Sequence, residues 1–229
     1  MQQWMEFAGG MMWLDPDAAE FERLMAASQW EWRKVAILKQ YLEPGMLFVD
    51  GGAHWGYFGL MAARSGAQVI AIEPDPDNYE RMAANFRKNE YLKEGYPSAL
   101  WEHRGSVGMF QGYNSGTHSV VKDYSGIMST VPADTLDHIL NGRLPDMLKL
   151  DVEGADIQAL QGAAKTFSQA ERMIIMMDLH PELGVDNAMA GQILHDHGFR
   201  LYDIRSNNRP LDHVPADLVE LLAMKGDYA

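Results

Sequence analysis

The chain has 229 residues, no cysteine and a formal net charge of −13. That length supports one domain, or one domain with a small appendage, and a sizeable core. The acidic balance argues against nucleic acid or an anionic membrane as a partner, because both require a basic surface.

Without cysteine there are neither disulfides nor thiolate metal sites. The start, M-Q-Q-W-M-E-F, has no basic stretch followed by an apolar one, and no apolar run approaches membrane-spanning length. A cytoplasmic location is therefore expected.

Asp15-Pro16 is a helix start, a capping acid followed by proline in the first turn. From there Phe21, Leu24, Met25, Ser28, Trp32, Val35 and Leu38 recur at helical spacing. This predicts one or two amphipathic helices over 16–42, stopped by Pro44-Gly45. Residues 1–45 read as a helical leader and 46–229 as the main domain. Trp4, Trp13, Trp30 and Trp32 read as core or interface residues.

The stretch 46–74 organises the rest. Leu47, Phe48 and Val49 form a buried parallel strand ending at Asp50. Gly52 and Gly56 frame a turn where a ligand can approach the backbone. The helix that follows directs its first amides at that ligand, and Gly66 caps its far end. A second strand over 69–72 delivers Glu73 to the carboxyl edge of the sheet, beside the turn.

Asp75 caps the next helix, Pro76 opens it, and Tyr79, Met82, Ala83 and Phe86 form its buried stripe. A third strand is expected over 99–103, then a β-hairpin over 105–121 with a polar tip at 114–117. A short helix follows at 134–140, strands at 147–150 and 173–177, and helices at 155–167 and 187–197. A strand over 199–204 and a closing helix over 215–224 complete the chain. The alternation predicts an α/β fold: a Rossmann-like, mainly parallel, doubly wound sheet with a helical leader and a hairpin insertion. The 16 methionines are dispersed and read as flexible core filler.

A dinucleotide site runs apolar residues straight into G-x-G-x-x-G and leaves room for pyrophosphate. Here the pattern is D-x-G-x-x-x-G, and the carboxylate of Asp50 would repel pyrophosphate but suit an amino-acid ammonium. Glu73, 21 residues after Gly52, is placed to accept hydrogen bonds from both ribose hydroxyls. Ammonium plus ribose describes S-adenosylmethionine better than NAD.

Four stretches together resemble the FkbM-type family of S-adenosylmethionine-dependent methyltransferases. They are F-V-D-G-G-A-H-W-G-Y-F, I-E-P-D-P-D-N-Y-E, M-L-K-L-D-V-E-G-A-D-I-Q-A-L-Q-G-A and M-D-L-H-P-E, and the resemblance runs over about 47–204. It implies the class I methyltransferase fold. It also implies cofactor contacts at Asp50, Gly52, Gly56 and Glu73, with Pro74 and Asp75 beside the adenosine; His54 and Asp151 are further candidates for cofactor contact from their place at the strand ends. Gly105 and Ser106 fall near the family's small-residue stretch after the third strand. The sequence departs from the family at His54 and Trp55, next to the methionine end of the cofactor, and at Asp178, where Glu is more usual.

Methyl transfer is an in-line displacement, so alignment dominates, and a hydroxyl acceptor also needs a proton acceptor or a metal. Asp151, Glu153, Asp178 and His180 lie at or just beyond the carboxyl ends of neighbouring strands. His180 is the first candidate for general base, from its ordinary pKa of about 6.5. Asp151 is the second, or the group that orients the acceptor, and Glu153 joins the set. No H-x-x-x-H spacing is present, and the H-x-H of His195 and His197 falls inside a helix pattern away from these acids, so a divalent metal ranks below direct base catalysis. His103, His118, His138, His195, His197 and His213 read as surface or structural. The expected acceptor is a hydroxyl on a small molecule or sugar, the activity associated with the family. A silent S-adenosylmethionine-binding or assembly protein, and a NAD-dependent oxidoreductase, are the readings it has to displace.

Overall fold

The apolar run before Asp50 forms the central strand of the sheet. In the computed structural model, residues 3–7, 10–14, 25, 29–91, 94–110, 118–121 and 128–228 are described. The organising unit is β3 (Leu47–Gly51), α2 (Tyr57–Arg64), β4 (Gln68–Ile72) and α3 (Pro76–Lys88), as the glycine turn and the caps predict. Gly66 ends α2 with φ +88, while the amides of Gly66 and Ala67 bond back to Ala63 and Ala62. Asp75 caps α3 by accepting from the Asn78 amide at 2.8 Å.

Beyond α3 lie β5 (Glu94–Tyr96), β6 (Ala99–Leu100), β7 (Gly105–Phe110) and β8 (Met128–Asp134). Then come α4 (Leu136–Leu140), β9 (Met147–Leu150), α5 (Asp156–Gln161), α6 (Ala164–Gln169) and β10 (Met173–Asp178). The chain closes with α7 (Asn187–Asp196), β11 (Arg200–Asp203), β12 (Arg209–Leu211) and β13 (Glu220–Lys225). The main sheet runs β12-β11-β13-β10-β9-β3-β4-β5. Strands β5, β4, β3, β9 and β10 are parallel, and β13 is inserted antiparallel between β10 and β11. The order reverses at β3, between β4 and β9, which leaves a crevice at the carboxyl ends.

Alternation along the strands feeds two cores. Phe48, Val69 and Ala71 pack on one face with Phe58, Met82 and Phe86. Val49, Ile70 and Ile72 pack on the other with Leu136, Leu148 and Phe167. The sheet is therefore covered on both sides, as a doubly wound fold requires. Among the described residues no helix is long and apolar enough to cross a membrane.

Several expectations are corrected. The closing helix over 215–224 is strand β13: its apolar run fits either element, and burial on both faces between β10 and β11 selects the strand. The third strand over 99–103 shrinks to β6 in a small sheet, β6-β8-β7, while β5 takes the edge of the main sheet. In the expected hairpin, β7 pairs with β8, and among the described residues the Phe110–Ser119 bridge alone joins the two expected arms. Its tip at 114–117 lies outside the described residues. The helix over 155–167 breaks at Gly162, which packs against the Trp101 carbonyl.

Within 1–45, helix α1 (Trp32–Tyr41) is present, and residues 15–24 and 26–28 lie outside the described set. Ahead of them β1 (Gln3–Phe7) and β2 (Gly10–Leu14) form an unforeseen antiparallel pair. It docks on α3 where Asn85 and Asn89 bond the Trp13 and Met11 amides. Trp4 and Trp13 stack edge to face within the pair, whereas Trp32 is 58% exposed, against its expected burial.

The turn after β3 explains one glycine. Gly52 has φ +72, and a Cβ there would overlap the Asp151 carbonyl oxygen. Gly52→Ala is expected to destabilise the fold by at least about 1–3 kcal/mol, the range for a left-handed non-glycine residue alone. Chemical denaturation measures this, and an unchanged midpoint would contradict the close approach.

Candidate active site

A cavity of about 450 Å³ opens at the carboxyl ends of β3, β4, β9 and β10. Gly52 and His54 line it after β3, Glu73 and Pro74 after β4, Asp151 and Glu153 after β9, and Asp178 and His180 at the end of β10. Trp30 and Glu31, just before α1, close another side.

Glu73 is buried, and each of its oxygens accepts one backbone amide, from His54 at 2.8 Å and from Asp75 at 3.0 Å. Burial pushes its pKa up to about 7, against the opposing pull of those amides. The Asn78 side chain also bonds to Glu73, which leaves the carboxylate one acceptor position for a further donor. The His54 ring stacks on Trp55 at 4.2 Å, and the Arg81 guanidinium lies over the other ring system 3.3 Å from the Trp55 centroid. Burial, then the Arg81 charge, brings His54 down to about 3, so it is neutral. Its φ of +50 is uncommon for a residue with a side chain.

Asp50 lies elsewhere than expected. It is absent from the cavity lining, buried behind it, with Oδ2 accepting the Gly59 amide at 2.9 Å. The start of α2 thus meets the protein's own carboxylate there. Burial pushes Asp50 up to about 6, and Lys149 opposes the shift. Gly56 likewise faces inward, packed on the Phe86 ring where α2 begins.

An ionic cluster surrounds the ends of β9 and β10. Lys34, buried on α1, donates to both oxygens of Asp178 at 2.5 and 2.6 Å and to Glu31 at 2.8 Å. Burial alone would lower the Lys34 pKa, but Asp178 and Glu31 outweigh it and hold the ammonium charged. Lys149, buried at the end of β9, reaches Asp151 Oδ2 at 3.3 Å and is also held charged by its acids against burial. Burial opposes ionisation of Asp151, yet Lys149, His180 and Lys34 bring it down to about 2. Burial and then the Asp151 charge push Glu153 up to about 8. Burial raises Asp178 to about 7, with Lys34 opposing.

His180 Nε2 is 3.5 Å from Asp151 Oδ1 and 3.8 Å from Glu153 Oε2, and its Nδ1 is 3.5 Å from Asp156 Oδ2. Burial would lower its pKa, but Asp156, Asp151 and Glu153 push it up to about 10. A pKa raised this far favours the protonated imidazole at neutral pH, which counts against His180 as the general base.

Asp75 and Ser106 do not line the cavity. Asp75 caps α3 and pairs with His118 at 3.0 Å, and Ser106 is exposed on β7. His118, read from the sequence as surface or structural, instead lines the cavity beside Glu73 and Pro74. Its bond to Asp75 raises its pKa. The residues missed were Lys34, Lys149, Trp30 and Glu31. A lysine inside the M-L-K-L strand was a legible signal; Lys34 sits between apolar helix positions and gave none.

A model of the methyltransferase FkbM domain matches residues 50–201. The chain belongs to the FkbM methyltransferase family. The hexuronic acid methyltransferase AglP of Haloferax volcanii is 24% identical over 154 residues, 66% of this chain. The match spans 62% of that relative, less than two thirds of its length.

Two solved structures share the fold, each with a TM-score of 0.53 and 13% identity over 93% of this chain. They are precorrin-6y C5,15-methyltransferase of Geobacter metallireducens, covered to 96%, and magnesium protoporphyrin IX methyltransferase of Synechocystis with bound S-adenosylmethionine, covered to 86%. The cofactor of this FkbM-family chain is S-adenosylmethionine. The cavity fits it, since a buried carboxylate, Glu73, faces in after β4 with an acceptor position to spare and an acid-rich cluster lies after β9 and β10.

Proposed function

We propose that this FkbM-family chain is an O-methyltransferase acting on a hydroxyl of a small molecule or sugar. One juxtaposition carries the reading: Glu73, after β4, and the Asp151–Glu153–His180 cluster, after β9 and β10, line a single cavity. The cofactor supplies a methyl group on a sulfonium, which departs as a neutral thioether. Glu73 accepts from a ribose hydroxyl, with Pro74 beside the adenosine. Gly52 and His54 border the methionine end. Asp50 acts from behind that wall, by fixing the start of α2 through Gly59.

On the acceptor side, Asp151 is ionised and orients the hydroxyl by accepting its hydrogen bond. The hydroxyl oxygen forms the new O–C bond, the C–S electron pair goes to sulfur, and the proton passes to the Asp151–Glu153 carboxylate pair. His180, held cationic between carboxylates, keeps that pair in place. The name of the relative AglP supports a carbohydrate acceptor.

The test follows the label. Cell extract is incubated with the protein and methyl-labelled cofactor, then fractionated. Label in base-stable, low-mass, hydroxyl-bearing material is the expected result. Label in RNA or protein amines would rule the reading out, and base-labile label would shift the methyl to a carboxylate oxygen.

A further inference from the structure

We propose that Asp151, Glu153 and His180 form a site for one divalent cation of the Mn²⁺ or Mg²⁺ class. The site lies on the acceptor side of the cavity. His180 Nε2 stands 3.5 Å from Asp151 Oδ1 and 3.8 Å from Glu153 Oε2, and one ligand atom from each residue lies within 4.8 Å of the others. Ligand atoms around one small ion at about 2.1 Å are separated by about 3 to 4.2 Å, so the three donors already have the required spacing. Lys149 occupies Asp151 Oδ2, which leaves Oδ1 for the ion. Lys34 does not compete, because Asp178 and Glu31 take its charge. All three donors line the cavity, so the remaining coordination positions face water and the acceptor.

A second observation comes from behind the cluster. Asp156 is fully buried, neither of its oxygens has a hydrogen bond, and Oδ2 is aimed at His180 Nδ1 from 3.5 Å. A buried carboxylate without hydrogen bonds is costly unless it serves a partner. Metal binding would displace the Nε2 proton, and a carboxylate behind the imidazole then holds the Nδ1–H and turns the freed Nε2 lone pair to the ion, the usual second layer of a histidine-ligated metal. Two carboxylates with one imidazole and no thiolate suit Mn²⁺ and Mg²⁺. No histidine pair marks the site in the sequence, because its donors come from two strand ends, which is why a metal ranks below direct base catalysis there.

The inference rests on the proposed hydroxyl acceptor for its role. An ion there lowers the pKa of an acceptor hydroxyl that reaches it, and the proton then leaves to cavity water while the carboxylates serve as ligands.

The experiment needs no acceptor. The full-length chain, stripped with EDTA, is titrated with Mn²⁺ by calorimetry and by loss of the free-ion electron paramagnetic signal. A Kd at or below about 100 μM is expected. Glu153→Gln should weaken binding at least about tenfold, and Asp156→Asn about 10- to 100-fold, as for other second-layer carboxylates. Thermal melts and S-adenosylhomocysteine affinity serve as controls for folding. No binding up to about 1 mM, or equal affinity in the wild type and both folded variants, overturns the site. Mn²⁺ binding without methyl transfer would keep the site and remove the activity. Methyl transfer by stripped protein that binds no Mn²⁺ would do the reverse.

Discussion

Asp151→Asn is expected to lower turnover by about 10²- to 10⁴-fold, the usual range for removing a group that handles the acceptor proton. Cofactor affinity should change far less, because the proposed ribose anchor, Glu73, follows another strand. Asp151 is the one carboxylate of the cluster held well below its ordinary pKa, with Lys149 at 3.3 Å and His180 at 3.5 Å. Asparagine keeps the shape and removes that charge. The substitution also leaves the buried Lys149 ammonium short of a partner, and breaking a buried pair typically costs about 3–5 kcal/mol. Melting curves must therefore accompany the kinetics. A folded variant with near-normal turnover on a verified acceptor would remove Asp151 from the chemistry. His180→Ala should have a smaller effect, since the imidazole orients carboxylates and accepts no proton itself.

Removing Glu73 should weaken S-adenosylmethionine by about 10- to 150-fold, from a charge-assisted hydrogen bond worth about 1.5–3 kcal/mol. The structure shapes how this is tested. Glu73 also satisfies the His54 and Asp75 amides, so Glu73→Ala strands two donors and lowers stability as well. Glu73→Gln keeps an acceptor in place and separates the two effects. The pH dependence has a definite sign. With the carboxyl raised to about 7 by burial, the ionised form that ribose hydroxyls prefer grows as pH rises. Affinity should then be about tenfold higher at pH 8 than at pH 6 in the wild type, and the difference should vanish in Glu73→Gln. Calorimetry showing equal affinity in wild type and variant would sink the ribose assignment.

The parts legible from residue order alone are those set by local chemistry. Leu47 to Val49 can be satisfied only by burial on both faces, and Gly52 and Gly66 mark backbone conformations that side chains resist. The Asp75-Pro76 pair starts a helix wherever it follows an extended residue. Those features yielded β3, α2, β4 and α3, and with them Glu73 at the cavity. The same locality explains the error at β13, where the short apolar run from Leu221 to Met224 fits strand or helix until its neighbours are known.

Tertiary structure decided the electrostatics. Protonation of His180 depends on Asp151, Glu153 and Asp156, and Asp178 depends on a lysine 144 positions earlier in the chain. No spacing rule connects such residues, because charges interact through a few ångströms of space rather than along the chain. The sequence by itself determined the fold class, the glycine turn after β3 and the acids delivered to one sheet edge. Which of those acids are ionised, that Asp50 stands behind the wall, that Lys34 holds Asp178 and that His118 joins the cavity followed only from how the strand ends, α1 and the segment around His118 come together.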